Sequence, residues 1–323
     1  MMTTAPPKWS PRLAGPRLGG RRRLGDAIIP KFDIVIKNGQ VTKRVTAGFD
    51  TGMQGSDIEM PASMARELGI TQMSMSRATD ASTTFNLSQG IVDEVSVPAS
   101  NGCTLKKAVV GYFEGAAEVL IGNNFLLSLG AEISYETGVP TLKCTGTAAK
   151  EMLVPAFTMN LIQGQKVLTA PAYFDTGFSS DIAVTQQTAA QMGLPITGYV
   201  DAKTHTGVVH LGTATMDRLG LKDLPGCFVQ HVSVVVLPPE APLQNMLVGE
   251  SFVRKLSGRV GYDAKGAYFS CKEAGTQVAR AVAFARVSAG DIILSEEMGQ
   301  AIAWGLGAFC VVALAYIVAT KVE

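Results

Sequence analysis

The chain has 323 residues, of which 47% are hydrophobic and 17% charged, with a formal net charge of +1. That length leaves room for two domains plus extensions, and the near-neutral charge gives no global pointer to nucleic acid or to an acidic partner. Five cysteines (103, 144, 227, 271, 310) without a CxxC spacing and only three histidines speak against a zinc site, and the odd cysteine count argues against a disulfide-framed domain.

Residues 1–29 open the chain as a basic, Pro-rich segment. Its first 25 residues hold six basic side chains (Lys8, Arg12, Arg17, Arg21, Arg22, Arg23), four prolines and no acid. Such a stretch lacks the apolar periodicity to fold alone. It reads either as a targeting segment for an organelle, mitochondrion or plastid, or as an arm lying on a partner.

A first unit spans residues 30–144. Phe32 to Ile36 alternates, Asn38-Gly39 supplies a two-residue hairpin turn, and Val41 to Ala47 returns as a strand that delivers Asp50 into a turn. Met60 to Leu68 predicts a short helix, with Pro61 in its first turn and Gly69 just past its end. Residues 72–90, rich in Ser and Thr, read as a loop or hairpin tip. Strands are expected over Ile91–Val97 and Lys107–Tyr112. The buried run Val119-Leu120-Ile121 ends at Gly122, and a short helix follows over Asn124–Leu129. Ile133–Tyr135 and Thr141–Lys143 close the unit as a hairpin.

Residues 145–154 link this unit to a second, 155–271, which repeats the same order. Phe49-Asp50-Thr51-Gly52 returns as Phe174-Asp175-Thr176-Gly177, 125 residues on, and Leu120-Ile121-Gly122 returns as Leu247-Val248-Gly249 at an offset of 127. Tyr135 and Cys144 recur as Tyr262 and Cys271, the cysteines fitting paired buried strand ends better than a redox couple. One ancestral unit, duplicated with small indels, explains the drift. Two copies are too few for a solenoid, so a pair of lobes with a cleft between them is expected.

After a juxtamembrane segment, 272–300, in which Ala279–Val287 suggests a short amphipathic helix, Ala301–Thr320 runs for 20 residues without a charge. At ~1.5 Å per residue such a helix spans ~30 Å, the hydrocarbon thickness of a bilayer. Trp304 and Tyr316 lie near its ends, as interfacial aromatics do. The expectation is a single C-terminal transmembrane helix in contact with membrane lipid.

One Asp-Thr-Gly is a weak signal, because Asp and Gly are common turn residues. Two copies, each at the end of an apolar strand and each about 70 residues before an apolar-apolar-Gly run, are far more specific. On these residues the chain resembles retropepsin-like aspartic proteases, with two tandem units fused in one chain as in pepsin-like enzymes. The resemblance covers 30–144 and 155–271. It implies a mainly β fold of two acid-protease barrels related by a pseudo-twofold, and an endopeptidase acting on polypeptide without a cofactor or metal. The resemblance makes Asp50 and Asp175 the catalytic pair, sharing one proton as the carboxylates of aspartic proteases do. Thr51 and Thr176 would hydrogen-bond across the pseudo-twofold, Gly52 and Gly177 would let backbone amides reach the carboxylates, and Ala78–Thr84 and Lys203–Val208 would form flap tips.

The chain departs from the family pattern at several positions. Met53 and Phe178 stand where a small residue is usual, and are expected to line the cleft. Gln54 and Ser179 replace a substrate-gripping acid, and Asn123 and Glu250 replace an Arg. These departures leave room for two other readings. In one, the chain is an inactive, protease-like accessory or scaffold subunit of a membrane complex of respiratory or photosynthetic type; in the other, it is a binding module that uses the cleft without hydrolysis. His205, His210 and His231 read as ordinary loop or strand residues.

Overall fold

Alternation along Lys31–Asn38 (β1) turns Ile34 and Ile36 fully inward and leaves Lys31 and Lys37 exposed, the pattern of a strand with one buried face. It pairs antiparallel with Val41–Asp50 (β2), Asn38 opposite Val41. The hairpin loop is therefore Gly39–Gln40, one residue later than the Asn38-Gly39 reading. The structure, a computed structural model, describes residues 29–79, 83–100, 102–146, 155–204, 207–241 and 245–282. The basic segment 1–25 and the apolar stretch 301–320 lie outside the described residues. Among the described residues no helix is long and apolar enough to cross a membrane.

The fold is mainly β. Ile58–Pro61 (β3), Ser74–Thr79 (β4), Thr84–Ser96 (β5), Thr104–Phe113 (β6) and Val119–Gly122 (β7) complete the first sheet, in the order β1-β2-β7-β3-β6-β5-β4. Strand β5 also pairs back onto β1, so six strands close into a barrel and β4 stands outside it. Two short helices, Ala62–Glu67 (α1) and Asn123–Leu129 (α2), sit within this unit. Of the two readings of 72–90, loop or hairpin tip, the structure shows a hairpin of β4 and β5. Its polar side chains are those of a ribbon that projects from the barrel, where neither face needs an apolar row.

The second unit repeats this wiring. Ala156–Gln163 (β8), Lys166–Asp175 (β9), Ile182–Thr185 (β10), Gly198–Lys203 (β11), Val208–Leu221 (β12), Leu224–Leu237 (β13) and Leu247–Gly249 (β14) take the order β8-β9-β14-β10-β13-β12-β11, and β12 closes onto β8. Helices Gln186–Met192 (α3) and Glu250–Lys255 (α4) correspond to α1 and α2.

The hairpins expected to close each unit instead leave their barrels and meet. Ala131–Ser134 (β15) and Thr141–Cys144 (β16) from the first unit join Arg259–Asp263 (β17) and Gly266–Ser270 (β18) from the second in one five-stranded sheet. The seam is antiparallel, with Val260 opposite Ile133. The sheet's edge is Ala279–Arg280 (β19), paired with Phe269 and Tyr268. An amphipathic helix beginning at Ala279 is thus corrected: Arg280 is held by the Asp263 carboxylate at 2.7 Å, and Val282 N–H donates to Ala156 O. The folded body reaches residue 282, and 283–287 lies outside the described residues.

Two disulfides correct the reading of the cysteines. Cys103 pairs with Cys144, and Cys227 with Cys271, each pair within one unit. Cys144 and Cys271 do end strands at equivalent places, but each meets a cysteine 41 or 44 residues upstream. The odd count misled because four of the five cysteines pair two by two irrespective of the fifth; Cys310 lies outside the described residues.

Candidate active site

Both Asp-Thr-Gly turns stand at the end of a strand held parallel to an apolar run. Asp50 on β2 pairs with Gly122 on β7, and Asp175 on β9 pairs with Gly249 on β14. Phe49 and Phe174, one residue before, are buried in the barrels, and that packing fixes where each strand delivers its aspartate.

Thr51 and Thr176 then bind the two turns to each other. Thr51 N–H donates to Thr176 Oγ1 and Thr176 N–H to Thr51 Oγ1, both at 3.0 Å. Each hydroxyl donates onward into the opposite unit, Thr51 to Phe174 O at 2.9 Å and Thr176 to Phe49 O at 2.6 Å. All four bonds are buried, so each of these backbone groups depends on the other unit for its partner.

Locked in this way, the carboxyls of Asp50 and Asp175 hydrogen-bond to each other. Backbone amides grip each one from its own turn. Gly52 N–H and Met53 N–H donate to Asp50 Oδ1 at 2.9 and 3.2 Å, and Gly177 N–H donates to Asp175 Oδ1 at 2.8 Å. The glycines have a second reason to be glycine. A Cβ at Gly52 would lie 2.8 Å from the Asp175 carboxyl carbon, and one at Gly177 would lie 2.8 Å from that of Asp50. Each turn is bare where the other unit's carboxylate rests on it. The Asp175 carboxyl is held well above the usual carboxylate range, first by desolvation and then by the Asp50 charge and hydrogen bond, with amides from Gly177 and Phe178 pulling the other way.

Met53 and Phe178 pack within their own units. The Met53 methyl rests on Gly122, and the Phe178 ring lies against Gly249, its Cδ1 2.7 Å from where a Cβ would stand. Both glycines end the apolar runs, so the large residue after each Asp-Thr-Gly fills space above a bare backbone. Gln54 is exposed and Ser179 half-buried. Asn123 accepts a hydrogen bond from Tyr262 of the other unit, while Glu250 pairs with Arg254 one turn along its own helix. His210 is exposed on the β11–β12 hairpin, stacked on Tyr199 and paired with Asp201.

Sequence reasoning missed three further acids. Asp57 accepts from Val109 N–H and Asp181 from Ser233 N–H, both at 2.7 Å, and Lys255 also pairs with Asp181 at 2.6 Å. The third is Glu59, buried on β3, whose carboxyl is pushed up to about 7 by desolvation first and by the Asp50 charge second. The visible signals were an acid five residues after Gly52 and another four residues after Gly177, and an acid interrupting the apolar run Ile58-Glu59-Met60. Compared with family models and with curated proteins, the chain matches none.

Proposed function

We propose that the chain is an aspartic endopeptidase of the retropepsin-like kind, two acid-protease lobes related by a pseudo-twofold, held at a membrane by residues 301–320. The observation that carries this reading is the pair Asp50 and Asp175, hydrogen-bonded to each other and braced by reciprocal Thr51–Thr176 bonds. Two carboxyls in that contact cannot both ionise cheaply, so they hold one proton between them.

Such a pair supplies a base and an acid at one place. The ionised carboxylate takes a proton from water as its oxygen attacks the peptide carbonyl carbon. The protonated partner donates to the carbonyl oxygen, giving a neutral tetrahedral diol. Proton transfer from the dyad to the amide nitrogen then breaks the C–N bond while the other carboxylate takes a proton from a diol hydroxyl, so the acid and amine products form and the dyad regains its single proton. Hairpins β4–β5 and β11–β12, whose tips fall at 78–84 and 203–208, serve in this reading as flaps that exclude water.

A second reading, an inactive accessory or scaffold subunit of a membrane complex, draws on Gln54 and Ser179, which leave the substrate main chain without the acid that grips it in the family resembled. Digestion of a peptide library by the purified full-length protein, at acidic and neutral pH, separates the two. The enzyme reading expects cleavage that Asp50→Asn abolishes; a wild-type protein that leaves the library intact supports the scaffold.

A further inference from the structure

Glu59 is an acid for which the dyad chemistry has no use, and the first barrel has made room for it. On β3 it stands between Ile58 and Met60, both fully buried, and is itself 5% exposed. Its neighbours in register are Gly111 on β6 and Leu120 on β7. The same place in the second barrel holds Ala183, with Val235 across from it in an apolar cluster. Bulk has been exchanged across the strand pair: Ala and Val in one barrel, Glu and Gly in the other. A Cβ at Gly111 would lie 3.1 Å from Glu59 Cγ and 3.0 Å from Ser56 Oγ, so a valine there would collide with the acid. A buried carboxyl given space by a neighbouring glycine is a costly feature to keep without use.

Few groups face this carboxyl. The Ser56 hydroxyl donates to it at a long 3.4 Å. From β6 comes Gly111 and from β7 Leu120, neither of them titratable. Asp57, two residues earlier, turns its carboxylate to Val109 N–H. Strand β7 lies between Glu59 and the dyad, with Leu120 opposite Glu59 and Gly122 opposite Asp50, and across it the Asp50 charge acts on Glu59.

We propose that Glu59 is a positioning residue for the dyad: its negative charge, once formed, keeps the shared proton on the Asp50–Asp175 pair as pH rises. The order of proton loss follows from the contacts. Asp175 would lose the last dyad proton against an Asp50 charge in direct contact with it, whereas Glu59 meets that same charge from across β7, and so Glu59 releases first. Above that point a third negative charge stands near Asp50. Across about two strand spacings, roughly 10 Å, and at an effective dielectric of about 20 to 40, it raises the last dyad step by about half to one pH unit. This rests on the dyad reading above but is judged by titration as well as by turnover.

The test is a difference infrared titration of the full-length protein with carboxyl-labelled aspartate, so that Asp and Glu bands separate. The dyad step is the highest aspartate transition that Asp50→Asn removes. In Glu59→Gln, and in Glu59→Ala, which copies the second barrel's own residue, that step is expected to move to lower pH by about half to one unit. Glu59→Asp should restore part of the shift. A dyad step that stays within about 0.2 unit of wild type in both variants overturns the proposal. If wild type cleaves peptides, the alkaline limb of kcat/KM moves with the titration. If it does not, the proposed function fails, and the infrared result still decides the role of Glu59.

Discussion

Thr51 and Thr176 do more to define the site than any pair except the aspartates, because each hydroxyl both accepts from and donates to the other unit. Thr176→Ala leaves the buried Thr51 N–H and Phe49 C=O without partners, which costs roughly 2–4 kcal/mol, read as a lower urea midpoint. Thr176→Ser keeps the hydroxyl and should recover most of that loss. Glu59 makes the opposite kind of contribution. Its folded-state value of about 7 lies above the usual 4.5, so the folded protein binds the proton more tightly than the unfolded chain. The stability this gives is present below about pH 4.5 and lost as pH rises toward 7, roughly 3 kcal/mol in all. Glu59→Gln should flatten that part of the stability–pH curve. At this scale the sequence showed the paired aspartates and threonines, because a motif repeated at one offset can be seen without coordinates. Glu59 stayed hidden, since what makes it unusual is Gly111 across a strand pair 52 residues away.

Among the elements, the barrels were legible where alternation and turns repeat, and illegible where chain segments leave the repeat. Asp93 and Asp217 accept from Gly39 N–H and Gly164 N–H at 2.8 and 2.7 Å, fixing each first hairpin loop in the same way. Lys107 and His231 each adopt a positive φ, 55° and 52°, at the same point of the long strand following those acids. Local sequence held these recurrences; it did not hold the five-stranded sheet, whose seam joins Ile133 to Val260 across the two units. The disulfides fall between the two cases. All four cysteines recur at near-constant offsets, yet counting them hid the pairing. Each bond closes a loop of 41 or 44 residues, so replacing either pair by serine should cost about 4 kcal/mol by chain entropy. Guanidinium unfolding with and without reductant measures it; a reductant effect that survives both replacements would exclude these bonds as its source.

The whole molecule places one carboxylate from each barrel at a junction stitched by four hydrogen bonds and backed by a shared sheet. Neither barrel alone holds both carboxylates. Met53 and Phe178 cover Gly122 and Gly249, the register partners of Asp50 and Asp175, and side-chain packing of that kind is set by tertiary structure rather than by the motif. The central claim is that Asp50 and Asp175 act as one catalytic unit. The direct measurement is the rate of peptide cleavage by Asp50→Asn, Asp175→Asn and the double variant. Groups that act together lose their effect together, so each single replacement should reduce kcat/KM as far as the double does, by more than about 1,000-fold. A single variant that keeps a substantial share of the wild-type rate, or losses that multiply in the double, would contradict it.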